Sequence, residues 1–130
     1  MKVKRNPDET RDALLAAAFD EIHAQGFRAA SLDRILARTG VTKGALYHHF
    51  PNKAALGQAV VNEVLFERMQ ENWRLLNDPD TDPVELMLSM IDDAIEHADR
   101  DTVALGCPLN NLVQEMAGLD EDFRQSLNKV

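Results

Sequence analysis

The chain has 130 residues, 14 Lys and Arg against 22 Asp and Glu, and a formal net charge of −8. That length is one domain, or one domain plus a piece of another, with enough apolar residues to bury a core. No apolar run approaches the roughly 20 residues of a membrane helix, which excludes a spanning segment and a membrane partner. One cysteine excludes an internal disulfide framework and fits a reducing, cytoplasmic setting.

Helix punctuation recurs along the chain. Asn6-Pro7-Asp8-Glu9 reads as an N-cap, a proline at the first helical position and acids in the first turn. Leu15, Ala18, Phe19 and Ile22 follow as one apolar stripe, and Gly26 is expected to close the helix in the left-handed conformation. Ser31 caps a short second helix with Leu32, Ile35 and Leu36 inward, and Gly40 stops it. Thr42 caps a third helix running to about His49. Asn52 opens a long fourth helix, apolar at Leu56, Val60, Val64 or Leu65, Met69, Trp73 and Leu76.

Residues 77–83, Asn-Asp-Pro-Asp-Thr-Asp-Pro, form the clearest break. Asp82-Pro83-Val84-Glu85 then starts a fifth helix whose inward stripe is expected at Val84, Leu88, Ile91, Ile95 and Ala98. A polar loop over residues 99–106 leads to a sixth helix with Leu109, Leu112, Val113 and Met116 on one face. Gly118 ends it, and Asp120 begins a seventh. No strand-like alternation occurs, so the fold class is all-α.

Charge is split unevenly. Residues 1–56 carry +3 and residues 57–130 carry −11, which suggests a polyanion-facing head on an acidic body. Helices two and three are each about two turns long and joined tightly at Gly40. That is helix-turn-helix geometry, in which the second helix enters a DNA major groove. Val41, Ala45, Leu46 and Phe50 give helix three an inner side. Thr42, Lys43, Tyr47 and His48 fall on the outer side or at its N-terminal tip. Gly44 costs about 1 kcal/mol in a helix relative to Ala, and its missing side chain lets a sugar-phosphate backbone approach. The amides behind Thr42, and those beside Lys53 after Asn52, are ready phosphate sites.

Residues 26–56, GFRAASLDRILARTGVTKGALYHHFPNKAAL, resemble the DNA-binding domain of the tetracycline-repressor (TetR/AcrR) family of bacterial transcription regulators. The likeness includes the Gly-Phe after helix one, the Lys-Gly pair, the Leu-Tyr-x-His-Phe run and the Asn-Lys opening helix four. It implies a helix-turn-helix DNA-binding domain over residues 1–54, joined by the fourth helix to a helical regulatory domain over residues 55–130. By that resemblance Lys43 and Gly44 sit at base edges or nearby phosphates. Tyr47, His49 and Lys53 hold phosphates, and His48 selects sequence. Ser31 and Thr42 are phosphate-contacting caps, and Arg28 adds a backbone contact. Residues 106–125 resemble the sixth-helix region of one branch more loosely. The resemblance also implies a homodimeric repressor on a palindromic double-stranded operator, released by a small-molecule effector. It implies too that the two late dimerisation helices are lacking.

Other readings compete. Met69, Trp73, Met87, Met90, Cys107, Met116 and Phe123 could line an effector pocket, or pack as plain core. Cys107, just before the helix-opening Pro108, raises a redox- or electrophile-sensing role, against that of a small buried hydrophobe. Asp92, Asp93, Glu96 and His97 have helical metal-site spacing, but a solvated acidic face explains them better. His48 and His49 point about 100° apart and cannot share an ion. No nucleophile motif or phosphate loop occurs. Neither enzymatic activity nor a cofactor is expected, an all-α metal-dependent enzyme and a truncated interaction module being the remaining rivals.

Overall fold

Helix α1 (Pro7–Gln25) is capped by Asn6, whose side chain accepts from the Asp8 amide, and buries Leu14, Leu15, Ala18, Phe19 and Ile22. The computed structural model describes residues 6–130, and these are helical with no strand. Lys2, Lys4 and Arg5, counted among the positive charges of residues 1–56, lie outside the described residues. Gly26 takes φ 82° with ψ 164°. The chain therefore leaves α1 through an extended conformation that essentially only glycine adopts, not the expected left-handed cap.

Helix α2 (Leu32–Thr39) is capped by Ser31 and ends at Gly40, which is left-handed at φ 66° and ψ 15°. Helix α3 (Lys43–His49) follows after two residues, with the Thr42 side chain accepting from the Ala45 amide. Asn52 caps α4 (Lys53–Ala59) through its bond from Ala55.

The expected long fourth helix is one unbroken helical path whose winding changes. After α4 come a π-helical segment (Val60–Leu65), α5 (Phe66–Trp73) and a 3₁₀ turn (Arg74–Asn77). The wider π turn brings the adjacent residues Val60 and Val61 both into the core, together with Leu65. Such segments are rare, and sequence periodicity alone does not announce them.

Helix α6 (Pro83–Glu96) starts where expected, with Asp82 accepting from Val84 and Glu85. Its apolar stripe does not face inward. Val84, Leu88, Ile91 and Ile95 are 53–69% exposed, because the core is filled by other elements and α6 lies outside it. Residues 99–106, expected as a loop, contain α7 (Arg100–Leu105), nucleated by Asp99 accepting from Thr102 and closed at Gly106 with φ 71°. Helix α8 (Pro108–Met116) buries Leu112 and Met116, and α9 (Glu121–Leu127), capped by Asp120, buries Phe123 and Leu127.

A single apolar core gathers α1, α2, α3, α4, the π segment, α8 and α9, with residues from both sides of position 54. Phe123 of α9 is 1% exposed and packs on Phe27, ring centroids 4.5 Å apart. Gly57 lets those rings sit against α4: a Cβ there would lie 2.5 Å from Phe27 and 2.8 Å from Phe123. The π segment is tied to α1 by Arg11, whose guanidinium donates to both Glu63 oxygens at 2.6 and 2.7 Å.

Candidate nucleic-acid interface

Helix α3 is two-sided, as its sequence dictates. Leu46 and Phe50 are buried at 0% and 3% exposure, while Thr42, Lys43, Gly44, Tyr47 and His48 are exposed. Tyr47 is 43% exposed, a large proportion for a stiff ring beside a core. Nothing lies within 4 Å of the position a Cβ at Gly44 would take, so the outer side of α3 is open there. Lys43 has no ion-pair partner among the described residues. His48 stands edge-on to the half-buried His49, centroids 5.4 Å apart.

The remaining site residues flank this surface. Ser31 and Thr42 use their hydroxyls to cap α2 and α3. Ser31 also donates its amide to Glu21 at 3.1 Å. Glu21 is 2% exposed and accepts from the Arg34 Nε at 2.6 Å. Burial alone would push its carboxyl up, but the Arg34 guanidinium and the Ser31 amide outweigh this and hold it below the usual carboxylate range. A buried charge thus fixes the start of α2.

Lys53 is half-buried at the start of α4. Its Nζ donates to the Arg28 carbonyl at 2.9 Å and stands 5.1 Å from the centre of the Phe27 ring. Arg28 is exposed and pairs with Glu115 of α8, Nε to Oε2 at 3.5 Å. Glu115 also accepts from the amides of Phe27 at 2.6 Å and Arg28 at 3.3 Å. Sequence reasoning missed Glu115. The two ends of this contact are 87 and 88 residues apart, and nothing local to either end announces it.

The seven candidate pocket residues are not brought together. Trp73, Met87 and Met90, with Ile91 and Ala94, line an open apolar groove of about 190 Å3. Met116 and Phe123 are core, at 4% and 1% exposure, and the half-buried Met69 packs against that core. Cys107 is exposed. A second cavity, about 270 Å3, lies between the end of α1, α7 and α8, with His23, Asn111 and Glu115 among its polar lining. His97 turns back onto its own helix, Nδ1 lying 2.9 Å from the Asp93 carbonyl. No cluster of metal-ligating residues occurs, and no helix is long and apolar enough to cross a membrane, among the described residues.

Comparison with known proteins agrees with the all-helical fold. Residues 14–60 match the family described as bacterial regulatory proteins, tetR family. The transcriptional regulator AcuR of Cereibacter sphaeroides is 32% identical over 117 residues, covering 88% of this chain and 52% of AcuR. An HTH-type transcriptional regulator from the lacX 3′ region of Lactococcus lactis is 28% identical over 125 residues, covering 96% of this chain and 64% of its own. The crystal structure of the reduced form of E. coli NemR superposes with a TM-score of 0.78 at 27% identity, covering 93% of this chain and 63% of that one. The chain thus spans about half to two thirds of the length of the curated relatives it matches. With an all-helical fold and relatives that are transcriptional regulators, residues 14–60 belong to the tetR family of bacterial regulatory proteins.

Proposed function

We propose that the chain binds DNA sequence-specifically as a transcriptional regulator, acting as a repressor released from a near-palindromic operator by a small molecule. The observation that carries this reading is the open outer side of α3, where Lys43, Gly44, Tyr47 and His48 are exposed beside the capped start of the helix. A recognition helix needs such a side: short hydrogen-bonders for base edges, cations for phosphates, and a backbone that can come close. Residues 1–54 form the DNA-reading head and residues 55–130 the regulatory body. His48 selects sequence. Tyr47, His49, Lys53, Arg28 and the caps Ser31 and Thr42 position the head on phosphates. The relative NemR is named a transcriptional repressor, which favours repression over activation.

Release follows from population shift. An effector in the body moves the helical path from α4 to α5 and so changes the separation of two heads in a homodimer. Two-fold partners read half-sites about 34–36 Å apart, so small changes of spacing forfeit affinity. The apolar groove at Trp73, Met87 and Met90 suits an apolar effector. The exposed stripe of α6 supports a covering partner, since contiguous apolar surface is uncommon on monomers.

The test is equilibrium binding to duplexes selected from a random pool, with wild type, Lys53→Ala and His48→Ala. Lys53→Ala should weaken binding alike for all sequences, and His48→Ala should change which sequence is preferred. Equal affinity of the wild type for selected and random duplexes at physiological salt contradicts the reading.

A second reading has its own observation. Cys107 is exposed at the start of α8, and the similar NemR structure is described as a reduced form. Oxidation or alkylation of Cys107 would then replace the apolar effector as the releasing event. Labelling with iodoacetamide at neutral pH no faster than free cysteine contradicts it.

A further inference from the structure

The geometry points to Glu115 as a positioning residue for the DNA-facing surface, acting from α8 through residues 27 and 28 on Lys53. The inference rests on the DNA-binding reading and deepens it by naming how the body holds the head. The chain of contacts is continuous. The Glu115 carboxylate, only 19% exposed, accepts from the Phe27 and Arg28 amides. Arg28 turns its carbonyl the other way, to accept from the Lys53 Nζ at 2.9 Å, while the Phe27 ring lies beneath that ammonium. Glu115 therefore fixes the peptide that fixes Lys53.

Gly26 shows how closely this carboxylate approaches. A Cβ at Gly26 would lie 3.0 Å from Glu115 Oε2, and the glycine's positive φ turns the following amides towards α8. Glu115 also lines the cavity of about 270 Å3 between α1, α7 and α8. Its side chain thus has space beside it, and the contact can break without repacking the core.

Two roles for Glu115 predict opposite signs. As a bare negative charge near a phosphate-binding surface, it would oppose DNA binding, and its removal would tighten the complex. As a positioning residue it supports binding, and its removal loosens the complex.

The experiment measures binding of the whole chain to a random-sequence duplex, across salt concentrations, for wild type, Glu115→Ala, Glu115→Gln, Lys53→Ala and the Glu115→Ala/Lys53→Ala double variant. Amide hydrogen exchange accompanies it. Glu115→Ala should weaken binding about fivefold and reduce the salt slope by about one. Glu115→Gln, which keeps an acceptor oxygen, should bind more tightly than Glu115→Ala. In the Lys53→Ala background the loss should shrink to the part that Arg28 carries, because Glu115 and Lys53 act in series. Exchange should quicken at the Phe27 and Arg28 amides while α1 and α3 stay protected.

Unchanged or tighter binding by Glu115→Ala overturns the proposal. So does a loss that adds in full to that of Lys53→Ala, or faster exchange throughout α1 to α4, which would mark a merely structural role. A wild type that binds no duplex contradicts the DNA-binding reading instead. Exchange at Phe27 and Arg28 then decides the contact alone: faster in Glu115→Ala supports it, unchanged refutes it.

Discussion

Glu21 and Gly44 show how single residues set helices α2 and α3, one by being buried and one by being bare. Glu21 is 2% exposed and accepts from both Ser31 and Arg34. Glu21→Ala leaves the Ser31 amide and the guanidinium without their acceptor and should cost about 1–3 kcal/mol in denaturant unfolding. Its carboxyl sits below the usual range when folded, so it takes up protons more readily when unfolded. The stability it contributes is complete above the ordinary carboxylate range and is lost as pH falls through the lowered folded value. Wild type should therefore lose more stability on acidification than Glu21→Ala. A parallel acid profile would contradict this. Gly44 has open space where a Cβ would go. Gly44→Ala should raise stability by about 0.5–1 kcal/mol and yet weaken duplex binding, if the open backbone is there for DNA. A variant that is more stable and binds equally well would remove that role.

At the scale of elements, most helix starts were legible, while the winding and partners of the helices were not. Asn6, Ser31, Thr42, Asn52, Asp82 and Asp120 each cap a helix where the sequence places one. A cap is local chemistry between residues two or three apart, so sequence carries it. The π segment is hidden in the same pattern as an α-helix, because Val60, Val61 and Leu65 read as an ordinary apolar run. Burial of α6 was misjudged for a different reason: periodicity shows that a helix has an apolar side, not what covers it. The contact of Arg11 with Glu63 closes α1 onto the π segment across 52 positions. The Glu63 carboxyl is held low by its bonds from Arg11, and Arg11 is raised in turn. Both side chains are more than a third exposed, so a double-mutant cycle should give a coupling of only about 0.5–1 kcal/mol. A coupling near zero would leave the π segment held by Val60, Val61 and Leu65 alone. For α6, Ile91→Glu should leave the melting midpoint nearly unchanged, since Ile91 is 53% exposed, but should lower the sedimentation coefficient if a second copy covers the stripe. No change in sedimentation contradicts that use of the stripe.

Over the whole molecule the charge is polar, +3 for residues 1–56 and −11 for residues 57–130. On the proposed reading an acidic body would keep DNA to one end, and binding at that end would depend on a few cations. Three cationic phosphate contacts per chain, from Arg28, Lys43 and Lys53, should give roughly a fortyfold loss of affinity for each bound chain between 50 and 200 mM salt. A flat salt response would mean that those cations face no phosphate. The N-terminal helices were readable because local motifs specify them, whereas Glu115 joins the turn after α1 to α8 only through the folded chain. The most direct measurement of the central claim is amide chemical-shift perturbation of the whole chain on titration with a short duplex. The account predicts shifts concentrated at residues 42–49 and at Arg28 and Lys53, with α6 silent. Shifts centred on α6, or none at residues 42–49 at saturating duplex, would contradict it.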